Sequence, residues 1–454
     1  MSAFDLVVRG RHVVLADGVR PAAIAVRDGR IVGVEPPDAE LPAAAVLDAG
    51  DHVVLPGLVD THVHVNDPGR AEWEGWDTAT RAAAAGGVTT IVDMPLNSVP
   101  ATTTTDALAA KAAAARGRAH VDYGLWGGVV PGNAAELDRL VDGGVLGFKA
   151  FLVPSGVDEF PAVDDVDLEA ALPILAARGV PLLAHAEDEG ALDPGALARD
   201  PARYAAWLAS RPPAAEARAI DRLARLASRS GARVHVVHVS STEGVEAIER
   251  ARRAGIAMTA ETCPHYLALD AASIPESATL FKCAPPIRGA SHRERLWESL
   301  GAGTLDLVAS DHSPCPPSLK AGDFATAWGG IASLDLSLAA TWTGARERGF
   351  GPADLARWMS VEPARLAGIG DRKGALASGL DADLVIWDPE AEWLVRREDL
   401  HHRHGQTPYL GMRLRGRVVM TVLRGRIVYR EGAFPSLGHG RLLTGRAARP
   451  GRNP

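Results

Sequence analysis

The chain has 454 residues, 47% of them hydrophobic and 23% charged, which suits a globular protein large enough for a barrel and a smaller domain. A formal net charge of −8 gives no reason to expect a nucleic-acid or membrane-surface partner, and no apolar stretch is long enough to span a bilayer. The three cysteines, Cys263, Cys283 and Cys315, are odd in number and widely spaced, which argues against a disulfide framework and for a reducing, cytoplasmic setting.

The opening stretch MSAFDLVVRG lacks the basic start and apolar core of a signal peptide and reads directly as a strand. Residues 1–52 alternate apolar and polar positions between Gly and Asp turns, as in FDLVVRG and RIVGVEPP. The same texture returns over residues 373–440, in ADLVIWDP, VVMTVLRG and RIVYREG. These two ends are expected to pair into one small β-sandwich. Residues 441–454, rich in Gly, Pro and Arg, read as a flexible tail.

Between them, over residues 53–372, eight apolar runs alternate with helix-like segments. They are VVLPGLVDTHVHV, GVTTIVDMPL, VDYGLWGGVV, VLGFKAFLV, VPLLAHAED, RVHVVHVSS, AMTAETCPHY and LDLVASDHSP. Eight strands with intervening helices predict an α/β fold, a (β/α)8 TIM barrel, in which chemistry gathers at the C-terminal ends of the strands. His62, His64, Asp93, Lys149, His185, His238, His265 and Asp311 all fall late in their runs.

His62 and His64 stand at i and i+2, which on a strand turns both imidazoles to one face, where they can grip a metal ion. His185 ends its run. His235 and His238 are an odd number of residues apart and so are expected on opposite faces; His238, nearer the strand end, is the better ligand. Asp311 closes the eighth run, where a carboxylate can ligate a divalent ion and accept a proton from water. Four imidazoles and a carboxylate exceed the needs of one catalytic zinc and suit two metals. Lys149 is the oddity, a lysine inside an apolar run. Either it snorkels to water from the strand end, or burial lowers its pKa so that the free amine adds carbon dioxide and the resulting carbamate bridges the two ions.

Other features receive plainer readings. The tract HHRHG at 401–405 lies outside the barrel strands and reads as a structural or exposed loop. His265 is assigned a hydrogen bond behind the metal ligands. The stretch GVDEF reads as a flap over the site. Cys315 can pack against a ligand but is not needed as a nucleophile.

Together these motifs resemble the amidohydrolase superfamily, in its cyclic-amide branch with dihydroorotase, hydantoinase/dihydropyrimidinase and allantoinase. The resemblance covers nearly the whole chain. It implies that His62 and His64 bind a first metal, His185 and His238 a second, and that Lys149, as N6-carboxylysine, bridges them. Asp311 is then a ligand of the first metal and the catalytic proton shuttle. The ions are expected to be zinc, with manganese, cobalt or iron also compatible with such donors.

Two positions narrow the branch. Asn66 stands where dihydroorotases usually carry an arginine, and Pro154 where hydantoinases usually carry a tyrosine. DPGRAEWEGW, DMPLNSVPAT, GFKAFLVPSGVDEF, ETCPHY, KCAPPIR, SDHSPCPP and AWGGIASL resemble the allantoinases instead, although Ala150 and Ala284 depart from the expected Cys and Ser. The resemblance implies ring opening of allantoin to allantoate, with Asn97, Ala284 and Ser313 as substrate contacts, in a homotetramer or dimer. A hydantoinase/dihydropyrimidinase of broader specificity is the alternative. A catalytically silent scaffold is the distant one, since such relatives lose ligands that this chain retains.

Overall fold

The computed structural model describes residues 3–436 and 438–445. Strands from both ends of the chain lie in one sheet. The N-terminal set is β1 (Phe4–Leu15), β2 (Gly18–Arg27), β3 (Arg30–Glu35), β4 (Ala43–Asp48) and β5 (Val53–Pro56). The barrel strands follow as β6 (Leu58–Val63), β7 (Val88–Asp93), β8 (Asp122–Leu125), β9 (Gly127–Gly128), β10 (Phe148–Phe151), β11 (Leu182–His185), β12 (Val234–Val236), β13 (Met258–Thr262) and β14 (Leu307–Val308). β15 (Leu384–Leu394), β16 (Arg413–Leu423) and β17 (Arg426–Arg430) return to the first sheet, whose order is β17-β16-β15-β5-β1-β2-β3 with β4 added beside β1.

Period-two alternation divides this sheet between two cores. Val54, Leu384 and Ile386 join Val8, Ile24 and Val422 in the sheet's own apolar cluster. Leu55, Val385 and Trp387, one residue out of phase, pack into the barrel core. Each such aliphatic side chain contributes about 1.5–3 kcal/mol relative to exposure.

The first barrel run, expected to start at Val53, is really two strands. β5 pairs antiparallel with β15, and only from Leu58 does the chain pair parallel with β7. The break is at Gly57, where a Cβ would lie 2.3 Å from the Thr89 hydroxyl and 2.9 Å from Asp383 Cβ. The third run also divides, into β8 and β9, where the Trp126 indole N–H donates to the Thr61 carbonyl at 2.8 Å.

β6-β7-β8 and β9 to β14 form two parallel arcs. Leu146 N–H donates to the Leu125 carbonyl at 3.0 Å, joining the arcs on one side. On the other, a parallel bridge pairs Val63 with His312, and His64 N–H donates to the His312 carbonyl at 2.9 Å. The ring therefore closes, as the eight-run pattern predicts.

The outer helices are set by the same patterning. Helix Pro213–Ser230 buries Ala215, Ala219, Ile220, Leu223, Leu226 and Ala227 at helical spacing. It opens on a proline, whose missing N–H costs nothing there, and stops at Gly231 in the left-handed region, φ 69°.

At the joint between barrel and sheet, buried Lys373 donates to Asp122 and Asp383 at 2.6 Å each and lies 3.0 Å from Asp381. Arg424 also pairs with Asp122. Residues 441–445 are not a loose tail. Arg441 N–H donates to Asp122 at 2.8 Å, Leu443 N–H donates to the Tyr123 carbonyl at 2.7 Å, and Leu443 is buried. The rest of the expected tail, 446–454, lies outside the described residues. No helix among the described residues is long and apolar enough to cross a membrane.

Candidate active site

At the C-terminal end of the barrel strands lies a cavity of about 370 Å³. His62, His64, Lys149, His185, His238 and Asp311 all line it, as do Asn97, Ala284 and Ser313. These nine residues share one space, although they lie on strands and loops scattered over about 250 positions of sequence; Asp93 and His265 do not line it.

His62 and His64 face the same way, with ring centroids 5.6 Å apart. Their Nε2 atoms lie 3.2 and 3.5 Å from Asp311 Oδ1. The rings of His185 and His238 are 4.6 Å apart, and His238 is 5.4 Å from His62. His238 and Asp311 sit just past their strands in the left-handed region, φ 42° and 47°. A side-chain-bearing residue is held there only at a cost, and such strain is commonly concentrated at functional sites.

That backbone reversal corrects one expectation. His235 and His238 were to face opposite sides, but β12 ends at Val236 and strict alternation ends with it. Both rings reach the barrel interior at different depths. His235 Nε2 meets Glu261 Oε2 at 3.0 Å, and the other oxygen of Glu261 accepts from His62 Nδ1 at 2.5 Å.

Glu261 and Glu187 are site residues that motif reading passed over. Glu187 accepts from His185 Nε2 at 2.8 Å and is itself gripped by Arg211 through Nε and Nη2. Each carboxylate fixes one ring nitrogen and so directs the other, His62 Nε2 or His185 Nδ1, away from it. Burial would raise both acids, but Arg211 beside Glu187, and His62 and His235 beside Glu261, hold each down to about 2. A signal existed: Glu261 is a charge late in an apolar run, as Lys149 is.

Lys149 is fully buried, and its amine has no hydrogen-bond partner among the described residues. It does not snorkel. Its Nζ lies 5.0 Å from the centroid of the Phe151 ring. Burial pushes its pKa down to about 8 against the pull of Glu261, Asp311 and Cys263. His64 is driven by burial to about 4, and His185 and His238 are lowered too, so these rings are neutral, the form that binds metals. Asp311 behaves oppositely: burial alone would raise it, but His62, His64 and His238 hold it well below the usual carboxylate range.

The orphaned Lys149 amine, the neutral rings of His64, His185 and His238, the carboxylate-held rings of His62 and His185, and one ionised carboxylate fit a divalent-metal centre. His62, His64 and Asp311 place their ligand atoms within 4.8 Å of one another.

The remaining expectations sort by contact. Asn97 has φ 67°, a turn role, and its amide also lies 3.4 Å from His64 Nδ1. The Ser313 hydroxyl donates to Asp311 Oδ1 at 3.1 Å. Asp93 is structural, held to Lys111 at 2.6 Å behind the site. His265 is buried near Asp311 and His62, but neither ring nitrogen has a hydrogen-bond partner among the described residues. The HHRHG tract is a structural loop: His402 is buried against Asp335 at 3.2 Å, and Arg403 bonds to Glu74. The segment expected as a flap is tethered by the Arg70–Glu159 pair and by buried Phe160. All three thiols are buried and free.

A parallel barrel with such a His/Lys/Asp cluster at its C-terminal end is the arrangement of a hydrolase of the amidohydrolase type. The chain belongs to the amidohydrolase family, whose model matches residues 53–428. It is 51% identical over 445 residues to an allantoinase of Streptomyces avermitilis, covering 98% of this chain and 99% of that one. An allantoinase of Arabidopsis thaliana is 43% identical, covering 96% and 90%. Among solved structures, an L-hydantoinase (dihydropyrimidinase) from Arthrobacter aurescens superposes with TM-score 0.92 at 35% identity, covering 97% and 100%.

Proposed function

We propose that this chain is an allantoinase, hydrolysing a ring amide of allantoin to give allantoate. It is an enzyme acting on cyclic amide C–N bonds. The observation that carries the chemistry is the convergence of His62, His64, His185, His238, Asp311 and the unpartnered Lys149 amine on one cavity. The choice of ring rests on near-full-length identity to allantoinases, which exceeds the identity to the hydantoinase structures.

His62 and His64 would hold one divalent ion and His185 and His238 a second, with Lys149 as N6-carboxylysine between them, formed from its free amine and carbon dioxide, and Asp311 on the first. Bound there, two such ions, zinc in the first instance, supply the Lewis acid that polarises the scissile carbonyl and acidifies the attacking water. Asp311, ionised at neutral pH, accepts the proton that water loses as the new C–O bond forms. It returns that proton to the ring nitrogen as the C–N bond breaks. Ser313 keeps the Asp311 carboxylate oriented, and Glu261 and Glu187 keep the rings of His62 and His185 aimed. Asn97 and Ala284 line the space left for the substrate ring.

The reading includes a cytoplasmic homotetramer or dimer, supported by the free thiols and by likeness to the family. Its test is metal dependence. Chelation should abolish ring opening of allantoin, and re-addition of zinc or manganese with bicarbonate should restore it; full activity in the chelated enzyme would sink the metal mechanism.

A further inference from the structure

Three cationic side chains reach the cavity: Lys149, Arg211 and Lys282. The first belongs to the ligand cluster, and the second is spent on Glu187. Lys282 is left over. The residue is buried, at 7% exposure, yet among the described residues it makes no ion pair. Nζ donates to the Ala327 carbonyl at 2.5 Å and rests 4.8 Å from the centroid of the Trp207 ring. An ammonium has three donors, so two are uncommitted.

Its surroundings are rigid. The Trp207 indole N–H donates to the Cys283 carbonyl at 3.0 Å. The Lys282 carbonyl accepts from Gly330 N–H at 2.8 Å. Lys320 ties the same loop by donating to the Trp328 and Gly330 carbonyls. Burial and the nearby cations Lys320 and Arg211 depress the Lys282 pKa to about 8 against the weaker pull of Asp323, which makes no ion pair with it. Burying charge without a partner is costly, so an oxygen brought by a ligand gains strongly here.

We propose that Lys282 is a specificity-determining residue, whose two uncommitted donors bind an acceptor oxygen on the substituent carried by the substrate ring. The proposal rests on the allantoin reading, under which that oxygen is the carbonyl of the ureido arm. The simple hydantoin ring carries no such arm and cannot use Lys282 in this way.

The test compares Lys282→Met and Lys282→Arg with the wild type, after metal content and thermal unfolding show each to be folded and loaded. Allantoin gives kcat and KM; hydantoin gives KM if opened, or otherwise its inhibition constant against allantoin. A lost charge-assisted hydrogen bond should raise the allantoin KM of Lys282→Met by about 10- to 100-fold, with a much smaller change in kcat. The hydantoin constant should stay within about twofold, and Lys282→Arg should recover part of the loss. An unchanged allantoin KM, or equal losses for both rings, would overturn the proposal. A wild-type enzyme that does not open allantoin would instead defeat the functional reading, and the ligand assigned to Lys282 with it.

Discussion

Glu261 accepts a hydrogen bond from Nδ1 of His62, 199 residues away in sequence, at 2.5 Å inside a fully buried pair. The contact leaves Nε2 of His62 as the nitrogen nearest Asp311. Outer partners of this kind usually contribute 10- to 100-fold to metal affinity or activity. Glu261→Gln should therefore lose about that much in kcat/KM or bound metal while keeping its thermal unfolding profile. Unchanged metal content and activity would mean that the carboxylate is merely structural.

Lys149→Ala should fold, yet bind little metal and open no ring. Removing a buried amine with no hydrogen-bond partner sacrifices no internal hydrogen bond, so the barrel should tolerate it. Acetate or propionate should restore part of the activity by placing a carboxylate in the vacated space. Full activity of the variant in the absence of added acid would eliminate the carbamate.

The barrel–sheet joint gives a stability prediction. Lys373 is the shared partner of Asp122, Asp381 and Asp383, all buried. Among the described residues, Lys373→Ala leaves those carboxylates facing one another with Arg424 on Asp122, and Arg372 and the more distant Arg30 on Asp381, to offset them. The expected cost is about 3–5 kcal/mol, read by urea unfolding. A loss below about 1 kcal/mol would show that water or neutral carboxyl groups replace the lysine readily.

Much of this was readable in the sequence. His62, His64, His185, His238 and Asp311 were legible because strand periodicity and the closed eight-run pattern fix both face and height. Lys149 was legible as a charge that an apolar run should not carry. Glu261 escapes motif reading because its partners His62 and His235 are brought to it by barrel register, whereas Glu187 lies only two residues past His185 and is masked because that contact forms beyond the strand end, where alternation no longer fixes direction. The break at Gly57 was hidden inside an unbroken apolar run, with only the Pro56–Gly57 pair to mark it. The facing of His235 failed for a local reason: the odd-offset rule holds only while the chain remains a strand, and φ of 42° at His238 ends it.

The His402–Asp335 pair predicts a pH window. Burial opposes the charged ring, but Asp335 outweighs it and raises His402 above the usual 6.5. Burial likewise opposes the Asp335 charge, and His402 outweighs it, lowering the carboxyl. The His402 contribution is complete below its unfolded pKa and is lost as pH rises through the higher folded value. The Asp335 contribution is present above its unfolded pKa and is lost as pH falls through the lower folded one. The stability gap between wild type and His402→Gln should thus be widest from about pH 4 to 6.5 and shrink toward pH 9. A gap that is constant across that range would exclude a charged pair.

The central claim is best tested by one competition assay. Purified, metal-replete enzyme is given allantoin, hydantoin, dihydrouracil and dihydroorotate, and kcat/KM is measured for each. The account predicts allantoate as the dominant product, with allantoin preferred over every other ring. A higher kcat/KM on hydantoin, dihydrouracil or dihydroorotate would contradict it.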